Sequence, residues 1–265
     1  MSDAPRNIVW IASYPKSGNT WVRFLLCNLL YGRQESAAAM SLLAPDVHEA
    51  GPHVGRYPGG LLKTHFLLSA RLPLVERTAA AIYVVREPAD VLASNYHYAR
   101  RSGGDEADSA AAFDRYVDSF LQHRGEPRWI QSGMGSWEEN VRSWLGGPWP
   151  FPVLCIKYED LVADARRVGR SLAQMLRPDT TTQEIDRAVA DSSFQRMREI
   201  EEADIRDKRV GIFYKPYLQG SIDSGSRFMR KGTMGDGVRR LSDEQRARLR
   251  DAFQPLLLRL GYLSA

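Results

Sequence analysis

Two hydrophobic rhythms divide this chain. Short apolar runs occur at residues 8–12, 79–86 and 153–157, and 61–65 (LLKTH) looks like a short strand ending in polar groups. Runs of that length, rich in β-branched residues, read as strands buried on both faces, the kind found in parallel sheets. Between them the apolar positions take helical spacing. Val22, Leu25, Leu26 and Leu29 stand at i, i+3, i+4 and i+7, which predicts a helix opening at Thr20. Ala89, Leu92, Ala93 and Tyr96 form a second stripe, and Pro88 suits its first helical position. Helices are also expected at 37–43, 74–78, 113–121 and 137–145, and around Val168, Leu172, Met175 and Leu176. Thr181 with Glu184, and Ser242 with Gln245, are spaced as capping boxes that open two more. Pro255 is expected to kink the last helix, and Gly261 lies just past its end. The rest of 32–60 and all of 198–227 lack a clear period and read as long loops. Strands alternating with helices predict an α/β fold: a single domain with a doubly wound parallel sheet, ligands meeting the C-terminal strand edges.

Composition narrows this picture a little. A chain of 265 residues, 43% hydrophobic and 26% charged, can bury a full core and requires no large disordered region. The net charge of +4 suits a phosphorylated ligand without demanding nucleic acid. Lys stands only at 16, 63, 157, 208, 215 and 231; the other basic residues are Arg. Cys27 and Cys155 fall in an expected helix and strand and read as buried, reduced side chains, in keeping with a cytoplasmic protein. Residues 1–7 do not lead into a signal-peptide core. No apolar run reaches the ~18 residues needed to span a bilayer, so no membrane insertion is expected.

The first strand and helix are joined by turn chemistry, SYPKSGN at 13–19. A strand, tight loop and helix in that order aim backbone N–H groups at whatever precedes the helix, and the helix N-terminus favours an anion there. Lys16 adds a point charge; Ser17 and Thr20 add hydroxyl donors. Lys16 precedes the only glycine of the loop, Gly18, so this phosphate-binding strand-loop-helix is not a Walker A sequence.

PKSGNTW resembles the 5′-phosphosulfate loop of the sulfotransferases that use 3′-phosphoadenosine 5′-phosphosulfate (PAPS) and release adenosine 3′,5′-bisphosphate (PAP). The resemblance implies that Lys16, Ser17, Gly18, Asn19 and Thr20 hold the donor. Trp21 is similar to the residue that stacks on adenine, and Phe194 to its partner on the other face. Tyr158 and Ser193 match positions beside the adenine, although core packing competes as an explanation for all four. Lys63-Thr64-His65 resembles the family's Lys-Thr-His segment. By itself a histidine at a strand end is more often structural; the resemblance makes His65 the general base, a role suited to an imidazole pKa near neutrality, and brings Lys63 near the sulfuryl oxygens. Arg86 and Ser94, in REPADVLAS, resemble the pair that reads the 3′-phosphate. Arg230, Lys231 and Gly232, in RKGTMGD, resemble a second 3′-phosphate element. There the chain departs from the family, with Gly237 where a Trp is usual.

These motifs occur in family order from about residue 8 to the last helix, and resemble bacterial natural-product sulfotransferases. The resemblance implies a sulfotransferase domain over 1–265, with sulfuryl transfer to a hydroxyl of a small-molecule acceptor and no metal. Such transfer depends on positioning and electrostatics, as phosphoryl transfer does. The acceptor is expected to meet the loops at 32–60, 100–135 and 198–227; Tyr57, Phe213, Tyr214 and Tyr217 within them, and Tyr98 just before the second, offer aromatic surface. The segment 198–227 is also expected to order over the donor. An oligomer is compatible with the sequence, but 238–247 lacks the dimer motif of many animal members. Two other readings stay open: a P-loop-type nucleotide-dependent kinase with Glu159 or Asp160 on its metal, and a non-catalytic nucleotide-binding protein. Should the base lie elsewhere, His48, His53 and His97 are the other histidines to consider.

Overall fold

The computed structural model describes residues 5–50, 55, 57–101 and 109–264. The order of elements is β1 (Ile8–Ser13), α1 (Asn19–Tyr31), α2 (Ala37–Leu43), α3 (Val47–Ala50), β2 (Gly60–Thr64), β3 (Thr78–Val85), α4 (Pro88–Arg101), α5 (Ala110–His123), α6 (Pro127–Gln131) and α7 (Trp137–Leu145). There follow β4 (Val153–Lys157), α8 (Tyr158–Ala163), α9 (Ala165–Leu176), α10 (Thr182–Asp191), α11 (Phe194–Arg206), α12 (Gln219–Asp223), α13 (Asp236–Arg240) and α14 (Asp243–Arg259). The four strands pair in parallel in the order β2-β1-β3-β4.

Alternate residues of each central strand enter different cores. Trp10, Ala12, Ala81, Tyr83 and Val85 pack with α4, α5, α7 and α14 on one face. Ile11, Ile82 and Val84 pack with α1, α9, α10 and α11 on the other. This is the doubly wound arrangement expected from uninterrupted apolar strands. It also fixes the site, because every β-to-α turn leaves from the same sheet edge.

Several local expectations change. The stretch 74–78 is a short 3-10 turn, Val75–Arg77, running straight into β3. Helix α14 continues through Pro255. Cys155 is exposed, because β4 is an edge strand, whereas Cys27 is buried. The expected loop at 198–227 begins inside α11. The buried face of α11 is Met197, Ile200, Glu201 and Asp204, a regular helical stripe in which two of four positions are acids. Those acids broke the apolar period that would have revealed the helix.

Candidate active site

A cleft of about 330 Å³ opens at the C-terminal ends of all four strands. It is lined by the loop after β1, by His65 after β2, by Arg86 after β3 and by Tyr158 after β4.

The first wall is the loop of residues 13–19. Gly18 is the N-cap of α1 at φ 97°, and neither a capping side chain nor an acid occupies the first turn. The helix N-terminus is therefore left for an anion. Glycine is required at this position twice over, since a Cβ would also lie 2.4 Å from the Tyr158 ring. Ser17 is fully buried and its hydroxyl has no partner. Asn19 braces the turn: its amide donates to the Ile11 carbonyl at 3.0 Å and to Ser13 Oγ at 3.2 Å. Lys16 Nζ lies over the Tyr98 and Phe228 rings, 4.3 and 4.6 Å from their centroids. Burial, then Arg101, Arg86 and Arg230, push Lys16 down to about 7. A lysine so placed among cations is poised for an incoming negative charge.

The second wall holds a different set of charges. Lys63 Nζ donates to Asp46 Oδ2 at 2.7 Å. Burial lowers Lys63 to about 8, and although burial opposes it, Lys63 holds Asp46 down to about 2. Lys63 is thus engaged with its own counter-ion and is not a free cation for a ligand. His65 Nδ1 donates to the Ser13 carbonyl at 2.7 Å, which leaves Nε2 as the lone-pair nitrogen. Burial, then Lys63, hold His65 well below 6.5. His48 is neutral as well, pushed down to about 4 by burial; its Nε2 accepts the His65 backbone N–H at 2.8 Å. That nitrogen is unavailable as an alternative base. His97 contacts Arg240 at 3.3 Å, and His53 lies outside the described residues.

The third wall is a loop held by two buried carboxylates. Asp90 accepts the Gly237 N–H at 2.7 Å and the Gly235 N–H at 2.9 Å, and pairs with Arg86 at 3.3 Å. Glu201 accepts the N–H groups of Phe228 and Met229 at 2.5 and 2.8 Å. The segment 228–237 is therefore fastened at both ends, with Arg230, Lys231 and Gly232 between. Arg230 and Lys231 close on Asp236 at 2.5 and 2.6 Å. A Cβ on Gly237 would stand 2.0 Å from the Ala89 carbonyl oxygen. No larger residue fits where α13 rests on α4, so the departure from the family motif is a matter of packing. Neither Asp90 nor Glu201 stood out in the sequence, because a lone acid within a helix carries no signal.

The remaining candidates divide. Arg86 spreads over the Tyr158 ring at 4.2 Å, with its Nε buried and unpartnered. Trp21, Ser94, Tyr158 and Phe194 line the cleft, and Gly232 lies against Phe194. Ser193 does not line it; its hydroxyl caps α11 by accepting the Arg196 N–H at 3.2 Å. The three expected acceptor loops each contribute: Asp46, His48 and Glu49; Trp129 and Met134; Ile212, Lys215, Tyr217 and Leu218. Tyr98 is also present, whereas Tyr57, Phe213 and Tyr214 turn into the packing. Glu159 accepts the Glu87 N–H and the Tyr262 hydroxyl, and Asp160 pairs with Arg167, so both acids after β4 are engaged.

Residues 6–261 match the family described as the sulfotransferase domain. The chain is 30% identical over 244 residues to sulfotransferase 1A1 of Bos taurus, covering 85% of this chain and 75% of that one. It is 25% identical over 256 residues to the amine sulfotransferase of Oryctolagus cuniculus, covering 93% and 79%. Mouse sulfotransferase SULT7A1 complexed with PAP superposes with a TM-score of 0.70 at 20% identity, covering 96% of this chain and 85% of that one. A retinol dehydratase in complex with androsterone and inactive cofactor PAP gives 0.68 at 17% identity, covering 96% and 81%. Among the described residues no helix is long and apolar enough to cross a membrane.

Proposed function

The chain belongs to the sulfotransferase domain family, whose members transfer a sulfuryl group from PAPS to a hydroxyl or amine, and we propose that here the acceptor is a small-molecule hydroxyl with His65 as its base. The observation that carries this is the tautomer of His65. Its Nδ1–H is tied to the Ser13 carbonyl, so Nε2 is unprotonated in the same cleft as the uncapped N-terminus of α1.

PAPS supplies an activated sulfuryl group on a phosphosulfate anhydride. The cradle fits it: the buried Ser17 hydroxyl, the buried Arg86 Nε and the first turn of α1 all have unused hydrogen-bonding capacity. Thr20 and the loop amides hold the 5′-phosphate. Arg86, Ser94, Arg230 and Lys231 hold the 3′-phosphate, Arg230 and Lys231 loosening from Asp236 as they turn to it. Trp21, Tyr158 and Phe194 receive the adenine. His65 Nε2 takes the proton of the acceptor as its oxygen bonds to sulfur. Lys16 neutralises charge on the departing phosphate oxygen, a preorganised electrostatic contribution. Lys63 sets the field at His65 through its pair with Asp46. Acceptor decoration in the manner of natural-product enzymes, and a cytoplasmic setting, belong to the same proposal.

Calorimetry with PAP and AMP tests the donor assignment. Each charge-assisted hydrogen bond to the 3′-phosphate is worth about 1.5–3 kcal/mol, so PAP should bind roughly 10²-fold or more tightly than AMP. Equal affinities would remove the 3′-phosphate reading. Labelled donor with a panel of alcohols and amines tests the acceptor class directly.

A further inference from the structure

A second cavity, of about 410 Å³, adjoins the cleft. Lys16, Ser94, Tyr98, Arg101, Phe228 and Arg230 line both, so the two communicate around the Lys16 side chain. Its charged lining consists of Lys16, Arg100, Arg101, Arg198, Arg227 and Arg230, and among the described residues it includes no acid. Glu202 pairs with Arg227 at 2.8 Å and Arg198 at 3.4 Å without lining the space. Glu201 is turned to the backbone amides of Phe228 and Met229.

Arg101 is the informative member. It is only 7% exposed, its Nη2 donates to the Phe213 carbonyl at 3.1 Å, and its buried Nε has no partner among the described residues. Glu201 is the acid that acts most strongly on Arg101, but both its oxygens are turned to backbone N–H groups, and among the described residues no carboxylate pairs with the guanidinium directly. A buried guanidinium with an unused donor is unfavourable unless a ligand completes it. In the reading above the donor's two phosphates are served by Arg86, Ser94, Arg230, Lys231 and the α1 N-terminus; Ser94 and Arg230 stand where the two cavities meet, and Arg101 is not among the donor's groups.

We propose, building on the sulfotransferase reading above, that this second cavity binds an anionic group of the acceptor, so that the substrate is a hydroxy-acid whose hydroxyl meets His65 while its carboxylate, or a comparable anion, meets Arg101. The depressed Lys16 charge is in keeping with this, because Arg101 is the strongest of the cations acting on it. A bidentate guanidinium contact would also fix the orientation of the acceptor.

The test uses the PAP-loaded protein, so that binding is read without turnover. Calorimetry compares 3-(4-hydroxyphenyl)propanoate with its methyl ester, which keeps the hydroxyl and removes the anion. The acid should bind roughly 10–100-fold more tightly. Arg101→Gln should erase that difference, and Arg101→Lys should restore part of it. Ser224→Asp, on the exposed lining, should weaken the acid alone and leave ester and PAP affinity unchanged; it guards against a folding defect in the Arg101 variants. Equal binding of acid and ester overturns the proposal. So does a loss of PAP affinity in Arg101→Gln as large as the loss for the acid, which would give the cavity to the donor. Acetate displacing the acid but not the ester supports a carboxylate subsite; acetate or phosphate binding with no effect on the acid means a free anion site and overturns it. An acid preference without labelled product from PAPS leaves the cavity assignment intact and sinks the sulfotransferase reaction instead.

Discussion

Two lysines stand at neighbouring strand ends and do different work. Lys63, at the end of β2, is buried against Asp46 and forms a closed pair beside two neutral histidines. Lys16, just beyond β1, has aromatic faces and cations around it; Glu201 acts on it only weakly, and among the described residues no carboxylate forms an ion pair with it. A buried ion pair is self-contained and has little left for a ligand. A buried cation without a counter-ion is incomplete, and an anion binds where it completes the charge. The β1 side leaves a cation and a helix N-terminus open to an anion, which the proposed function fills with phosphate; the β2 side keeps an imidazole neutral and oriented.

The largest separation of the two sides should come from His65→Ala. Turnover on a weakly acidic alcohol should fall by roughly 10²–10⁴, the usual worth of a positioned base, with PAP affinity nearly unchanged. Near-wild-type turnover in that variant would move the base elsewhere. Lys63→Met should act through stability, because it strands Asp46 in a buried setting. Chemical denaturation should show a loss of about 3–5 kcal/mol, largely recovered in Lys63→Met with Asp46→Asn. If the single variant is as stable as the parent, the closed-pair description is wrong.

Lys16→Met should leave stability nearly intact and weaken PAP by roughly 10–100-fold, the reverse of the Lys63 pattern. The replacement faces the same φ of 70°, so backbone strain cancels. Titration gives a smaller, graded readout. Lys16 sits near 7 when free and must rise on binding a phosphate, so affinity is fully present below about 7. It should fall by up to roughly tenfold per pH unit as pH rises above that. Proton uptake on binding near pH 8, measured in buffers of different ionisation enthalpy, checks the sign; its absence in Lys16→Met checks the assignment. The acidic limb of kcat/KM should lie below pH 6.5, because His65 is held below its usual value. Smallest of all, Gly237→Ala pushes α13 off α4 and should cost about 1–3 kcal/mol, with a modest loss of PAP affinity through the 228–237 loop. No change in either would mean the loop has room that its packing denies.

Much of this was legible in residues alone. The apolar runs located all four strands to within a residue, because a strand buried on both faces has no other pattern. The capping boxes at Thr181 and Ser242 formed as spaced. The helix α11 stayed hidden because Glu201 and Asp204 occupy its inward face. Short connections such as α6 and α13 were missed, since five residues do not make a period. The site motifs arrived at one sheet edge, yet Ser193 proved to be a helix cap and Lys63 a partner of Asp46.

The sequence by itself determined what depends on neighbours along the chain: the strand, turn and helix that expose backbone N–H groups after Gly18, and the order in which Lys16, His65 and Arg86 follow their strands. Those follow from local dihedral preferences and side-chain periodicity. Tertiary structure decided the state of each group. Which lysine keeps its counter-ion, which nitrogen of His65 carries the proton, and which two acids fasten the 228–237 loop all turn on contacts between segments far apart in sequence. Charge, tautomer and pKa are set by distance and burial in three dimensions, where electrostatic energy falls with separation in space and takes no account of separation along the chain.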